Sequence, residues 1–103
     1  MKKIVFDIDG TICDERPAQE RMFAIPKNEA IKILNQLYDS GNFIILYTAR
    51  GWDQYKITEH WLKENEVKYN VLMCGKPIYD FWIDDRSINP KNNDLRELTK
   101  YLI

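Results

Sequence analysis

The chain has little of what commits a protein to a special class. Only two of its 103 residues are cysteine, Cys13 and Cys74, too few and too far apart for a disulfide framework or a zinc cluster. They read as small buried or half-buried thiols in a reducing compartment. Charge of one sign is also missing, because 15 basic side chains face 16 acidic ones and the formal net charge is −1. That balance speaks against a nucleic-acid binder with a broad basic face, but permits a single phosphate group held locally. No apolar run is long enough for a membrane span. The N-terminal Met1-Lys2-Lys3-Ile4 leads into a short run broken by Asp7, which is no signal peptide. The expected location is the cytoplasm, without a membrane partner. Repeats, linkers and low-complexity tracts are absent, so residues 1–103 are expected to form one domain with one core. The lone histidine, His60, falls in a helix away from every motif and reads as structural or solvated.

What is present is the pattern of a folded α/β chain, with 45% hydrophobic and 13% aromatic residues. Residues 3–8 look like a strand buried on both faces. A polar loop from Cys13 to about Ile25 follows, and Pro26 is placed as a first helical residue. Ile31, Leu34, Leu37 and Tyr38 form the apolar stripe of that helix, with Gly41 as its stop. Phe43-Ile44-Ile45-Leu46-Tyr47 is a second apolar strand. Asp53 is expected to cap a helix to about Asn65, with Ile57, Trp61 and Leu62 facing inward. Val71-Leu72-Met73 reads as a third strand and Phe81-Trp82-Ile83 as a fourth. Asn92 or Asn93 opens a last helix with Leu95, Leu98 and Leu102 on its buried side. Strands alternating with amphipathic helices predict a parallel sheet.

The polar residues fall in a telling place. Asp7 and Asp9, Thr48, Lys76, and Asp84 with Asp85 each lie at or just past the C-terminal end of an expected strand. In an open α/β sheet that edge is where ligands bind. Asp7 and Asp9 also point to the same side of a strand, and two adjacent carboxylates repel unless a cation or a raised proton affinity relieves them.

The set Asp7-x-Asp9-Gly10-Thr11, Thr48, Lys76 and Asp84-Asp85 resembles, in order and spacing, the four motifs of the haloacid dehalogenase (HAD) superfamily. The segments "LYTARGW" and "GKPIYDFWIDDRSIN" are further similar to small bacterial HAD phosphatases associated with capsule and surface-polysaccharide biosynthesis. The resemblance implies a three-layer Rossmann-like (HAD-like) parallel sheet with flanking helices. The loops are too short for a cap domain. It implies a phosphatase in which Asp7 attacks phosphorus to form an aspartyl-phosphate and Asp9 acts as general acid and then base. Gly10 would turn the chain so that backbone amides approach the phosphate, and Thr48 would donate its hydroxyl to a phosphate oxygen. Lys76 would neutralise the intermediate. Gly10, Thr48, Ala49, Arg50 and Lys76 are thus the expected substrate-binding residues. Four acids in one site imply Mg²⁺, taking Asp7, the carbonyl of Asp9 and one of Asp84 and Asp85, with Asp85 favoured for direct contact.

Arg50 is expected either to clamp substrate at the site mouth or to make a surface ion pair. Arg16, Arg21 and Arg86 read as solvated loop charges. Trp61 and Trp82 read as core, and Trp52 as a core or entrance residue. The leading function is an Mg²⁺-dependent phosphomonoesterase acting on a small phosphorylated metabolite, a sugar or polyol phosphate of polysaccharide biosynthesis. The alternatives are a phosphatase for a nucleic-acid phosphate end or a phosphoprotein, and a non-catalytic phosphoryl-binding module. An open site on so small a domain also raises the prospect of a homo-oligomer that supplies a lid. One feature fits poorly: residues 74–80 are the whole connection between the third and fourth strands. A parallel crossover ordinarily needs a helix there.

Overall fold

Alternate residues along the strands meet different surroundings, and this sets the architecture. In the computed structural model, which describes residues 1–87, β1 (Lys3–Phe6), β2 (Phe43–Tyr47) and β3 (Val71–Met73) form a parallel sheet in the order β1-β2-β3. The register pairs Val5 with Ile45 and Ile45 with Val71, and Phe6 with Leu46 and Leu46 with Leu72. Phe6, Ile44, Leu46 and Leu72 are buried, whereas Val5 is 59% exposed. Burial of β1 on both faces is therefore not observed. The side chains of the Val5 row have no described helix against them.

The helices α1 (Asn28–Asp39) and α2 (Tyr55–Glu64) connect successive strands. Parallel crossovers are right-handed as a rule, and two running the same way across the sheet put both helices on one face; their apolar stripes join one core. That core holds Ile31, Leu34 and Leu37 from α1 and Trp61 and Leu62 from α2, against Phe6, Ile8, Ile44, Leu46 and Leu72. At the end of α1, Gly41 takes φ +91°, where a side chain would be strained. The buried Asn42 then donates to the Leu37 carbonyl (2.9 Å) and accepts from the Lys2 amide (3.1 Å), joining the helix end to the start of β1. This is a small α/β domain with an open three-stranded parallel sheet, flanking helices and no cap among the described residues.

Several local expectations change. Pro26 lies before α1 and bridges to Cys13, because the loop needs it as a rung there. Asp53 sits in a 3-10 turn, Trp52–Gln54, and does not cap α2. On α2 the inward position is taken by Thr58, fully buried, while Ile57 is 37% exposed. Residues 81–83 form no strand, and Trp82 is 44% exposed rather than core. The expected helix after Asn92 or Asn93 lies outside the described residues. Among those residues no helix is long and apolar enough to cross a membrane.

Candidate active site

At the C-terminal edge of the sheet the chain leaves each strand through a hydrogen-bonded turn. After β1, the Ile8 carbonyl accepts from the amides of Thr11 (3.0 Å) and Ile12 (2.9 Å). Gly10 adopts φ +79°, and an added Cβ would stand 3.2 Å from Glu15 Oε1. Its amide donates to the Cys13 carbonyl (2.8 Å), and its own carbonyl accepts from Lys27 Nζ (3.1 Å). Gly10 thus shapes the loop, and its N–H is used within it.

The loops after β2 and β3 continue the sheet beyond its strands. The Thr48 amide donates to the Met73 carbonyl (2.9 Å), the Lys76 amide to the Thr48 carbonyl (2.8 Å) and the Gly75 amide to the Arg50 carbonyl (2.9 Å). These bonds hold the Lys76 backbone beside Thr48, and its side chain reaches across to β1, where Nζ lies 3.2 Å from Asp7 Oδ1. The Asp7 side chain is 38% exposed and that of Lys76 13%, so the carboxylate is reachable while its cation is sheltered. Thr48 is fully buried, its hydroxyl oxygen accepting from the Arg50 amide (3.1 Å). Between them Ala49 is exposed.

Arg50 is the residue that sequence reasoning misjudged. Its residue exposure is only 1%, so it is neither a clamp at the mouth nor half of a surface pair. Its Nε and Nη2 donate to the two oxygens of Asp9 (3.0 and 2.7 Å), and Nη1 donates to Thr58 Oγ1 (2.9 Å). A buried guanidinium needs partners on every side; a threonine on the inward face of α2 was the one sequence signal for it. Asp9 keeps 22% of its side chain exposed. Each carboxylate of the Asp7 and Asp9 pair therefore has its own cation, Lys76 and Arg50, and this relieves their repulsion.

The structure brings Asp7, Asp9, Thr48, Arg50 and Lys76 together but leaves Asp84 and Asp85 in an exposed stretch. Asp84 accepts from Trp82 Nε1 (3.3 Å) and the Arg86 amide (3.1 Å). The Trp82 bond first, with that from the Arg86 amide, holds its carboxyl below the usual range. Among the described residues no three His, Cys, Asp or Glu side chains are grouped to hold a metal ion. The acids that do meet are already paired with cations. Among the described residues the donor set does not fit Mg²⁺.

Around Lys76 stands a partly exposed aromatic rim. Trp52, 60% exposed, stacks on Tyr55 at 5.9 Å, and the Tyr79 ring lies 5.8 Å from Lys76 Nζ. Arg16 pairs with Asp14 at 3.0 Å, Arg21 donates to Gln54, and Arg86 approaches Asp85 at 3.7 Å. His60 is exposed beside Glu64.

Beneath the site the Cys13 thiol is fully buried, 3.9 Å from Asp9 Oδ1. Burial first, then the Asp9 charge, pushes it up from 9.0 to about 12. In the unfolded chain the thiol loses its proton first, so folding stability falls as pH rises from about 9 towards 12. The slope is at most about 1.4 kcal/mol per pH unit. Urea unfolding at several alkaline pH values will show this slope, reduced in Cys13→Ala.

No protein-family model matches the chain, and no curated protein matches it. Solved structures do. A crystal structure of an MCSG target from Vibrio cholerae is 28% identical, with TM-score 0.77, over 99% of this chain and 97% of that one. A chain of a Pnkp1/Rnl/Hen1 complex is 21% identical, with TM-score 0.65, over 82% of this chain. One of a Pnkp1/Rnl/Hen1 RNA repair complex is 20% identical, also with TM-score 0.65, over 99%. This chain spans only 31% and 32% of the length of those two. At such identities the likeness is one of fold.

Proposed function

We propose that residues 1–103 form a HAD-like phosphatase domain that hydrolyses phosphomonoesters through an aspartyl-phosphate on Asp7. The observation that carries this reading is the Asp7–Lys76 pairing at 3.2 Å, a reachable carboxylate beside a sheltered ammonium at the ligand-binding edge of the sheet. An Asp7 oxygen attacks phosphorus, and the bond from phosphorus to the ester oxygen breaks. Asp9 enters this step carrying a proton on its exposed edge, gives it to the leaving oxygen, and is left as the carboxylate that Arg50 holds in one orientation. Water then attacks the acyl phosphate with Asp9 receiving its proton, which releases inorganic phosphate and restores Asp7. Lys76 balances the charge that moves from Asp7 onto the phosphoryl oxygens. Thr48 and Arg50 act from below as positioning residues, since both are buried. The described residues offer no complete set of Mg²⁺ ligands, and these side chains carry each step.

The substrate proposed first is a small sugar or polyol phosphate, which rests on the resemblance of "GKPIYDFWIDDRSIN" to capsule-associated phosphatases. The second reading, a macromolecular phosphate end, is favoured by one observation: two structural neighbours belong to Pnkp1/Rnl/Hen1 assemblies, one described as an RNA repair complex. The exposed rim of Trp52 and Tyr79 offers rings on which a base would stack. A panel of sugar and polyol phosphates, nucleotides, a 3′-phosphorylated oligonucleotide and a phosphopeptide, with and without Mg²⁺, tests both. Phosphate release from the first group supports the metabolite, and release confined to the oligonucleotide or phosphopeptide moves the substrate to a macromolecule. No release from any member, by protein shown to be folded, would overturn the reading.

A further inference from the structure

The sheet ends at β1, which among the described residues pairs on one side only. An open edge of this kind is a template for another strand. The same chain carries a run that has the composition of a strand and no sheet to join. Phe81 is 85% exposed and Ile83 96%, directly before the two acids absent from the site.

The run cannot reach that edge in its own chain. A parallel strand beyond β1 lies three strand spacings from β3, about 14 Å. To bring Asp84 level with Asp7, Phe81 must lie level with Ile4, at the opposite end of the sheet from Lys76. That drop is roughly 12 Å at about 3.3 Å per residue, which makes the straight line about 18 Å. The line cuts through β2 and β1, so any real path is longer. The Thr48 amide bonds to Met73 of β3 and its carbonyl to the Lys76 amide (2.8 Å), which holds the Lys76 backbone on the β3 side of β2, and from Lys76 to Phe81 there are five residue steps. Fully extended, five steps cover about 17–18 Å. The chain is too short to go round. An antiparallel arrangement beside β1 or β3 would point the acids at the wrong end of the sheet.

We infer that residues 81–83 of a second copy of this chain pair in parallel with the open edge of β1 and deliver that copy's Asp84 and Asp85 beside Asp7. Reciprocal exchange closes the assembly at two copies. Phe81 and Ile83 then continue the row of Ile4 and Phe6, and Trp82 lies next to Val5 on the other face. The linker too short for a crossover becomes the arm that spans two molecules. In the proposed phosphatase, on which this last step rests, the delivered acids complete the carboxylate set that a divalent cation requires.

Cross-linking tests the exchange without reference to activity. Val5→Cys and Trp82→Cys alter exposed positions, and Cys13 and Cys74 are buried, so the native thiols do not compete. Neighbouring strands bring such a pair within disulfide reach. Differently tagged Val5→Cys and Trp82→Cys chains, co-expressed and oxidised, are expected to give a disulfide-linked heterodimer. Untreated wild-type protein is expected to sediment at twice the chain mass. An intrachain bond in the Val5→Cys/Trp82→Cys double variant, or a single-chain mass with no cross-link, would overturn the exchange. Activity separates this from the reading above. Co-expressed Asp7→Asn and Asp84→Asn/Asp85→Asn chains, each inactive alone, should regain about a quarter of wild-type turnover, since half the random dimers are mixed and each has one intact site. Cross-linking with no turnover by wild type leaves the exchange standing and removes the phosphatase. Turnover by a species of single-chain mass does the reverse.

Discussion

Asp7→Asn is expected to lower phosphate release by more than about three orders of magnitude while leaving the protein folded. The asparagine keeps the shape of the side chain but offers no anionic oxygen to attack phosphorus, so the covalent path closes. The structural cost is small. The substitution removes the ion pair with Lys76 at 3.2 Å, and Asp7 is 38% exposed, so solvent screens the pair and the cost is under about 1 kcal/mol. Thermal unfolding of the variant should stay within a few degrees of wild type. That contrast is the test. Retention of full turnover would sink the aspartyl-phosphate mechanism, and unfolding in step with lost activity would make Asp7 structural.

Arg50→Ala is expected to behave in the opposite way, as the most destabilising single change in the site. The guanidinium is almost wholly buried and binds Asp9 through two hydrogen bonds and Thr58 through a third. Its removal strands a carboxylate that is only 22% exposed and empties the space between β1 and α2. Breaking such a pair costs about 3–5 kcal/mol, a large share of the roughly 5–15 kcal/mol that stabilises a domain. Arg50→Lys should recover little, because one ammonium cannot span both oxygens of Asp9. Urea unfolding gives the value directly. Adding Asp9→Asn to Arg50→Ala should make the second substitution less costly than it is alone, since no unpaired charge is left behind. Unchanged stability with a raised KM would instead return Arg50 to the substrate clamp that sequence reasoning allowed.

The contrast between these residues shows where sequence reading is strong. Asp7 and Lys76 were legible because strand-end chemistry follows from pattern: an apolar run locates the strand, and the first polar residue after it lies at the sheet edge. Arg50 was not legible, because its direction depends on Thr58, eight residues further on and across a turn. The 3-10 turn Trp52–Gln54 shifts α2, and with it the choice between Ile57 and Thr58 for the inward position. A boundary error of one residue is enough to reverse such a choice on a helix.

The strands tell the same story on a larger scale. Apolar runs alone determined that 43–47 and 71–73 are strands with a helix before and between them, since burial of one stripe or one face is a local demand of the pattern; the helix starts, expected at Pro26 and Asp53, fall at Asn28 and Tyr55. They could not determine whether residues 81–83 join a sheet. Pairing requires a chain that reaches its neighbour, and reach is set by where Lys76 is tied and how far β1 lies from it. The carboxylates Asp7, Asp9, Asp84 and Asp85 are written in order along the chain. Which of them meet within one molecule was decided by the tertiary structure, because only three-dimensional distance limits which strands a short linker can join.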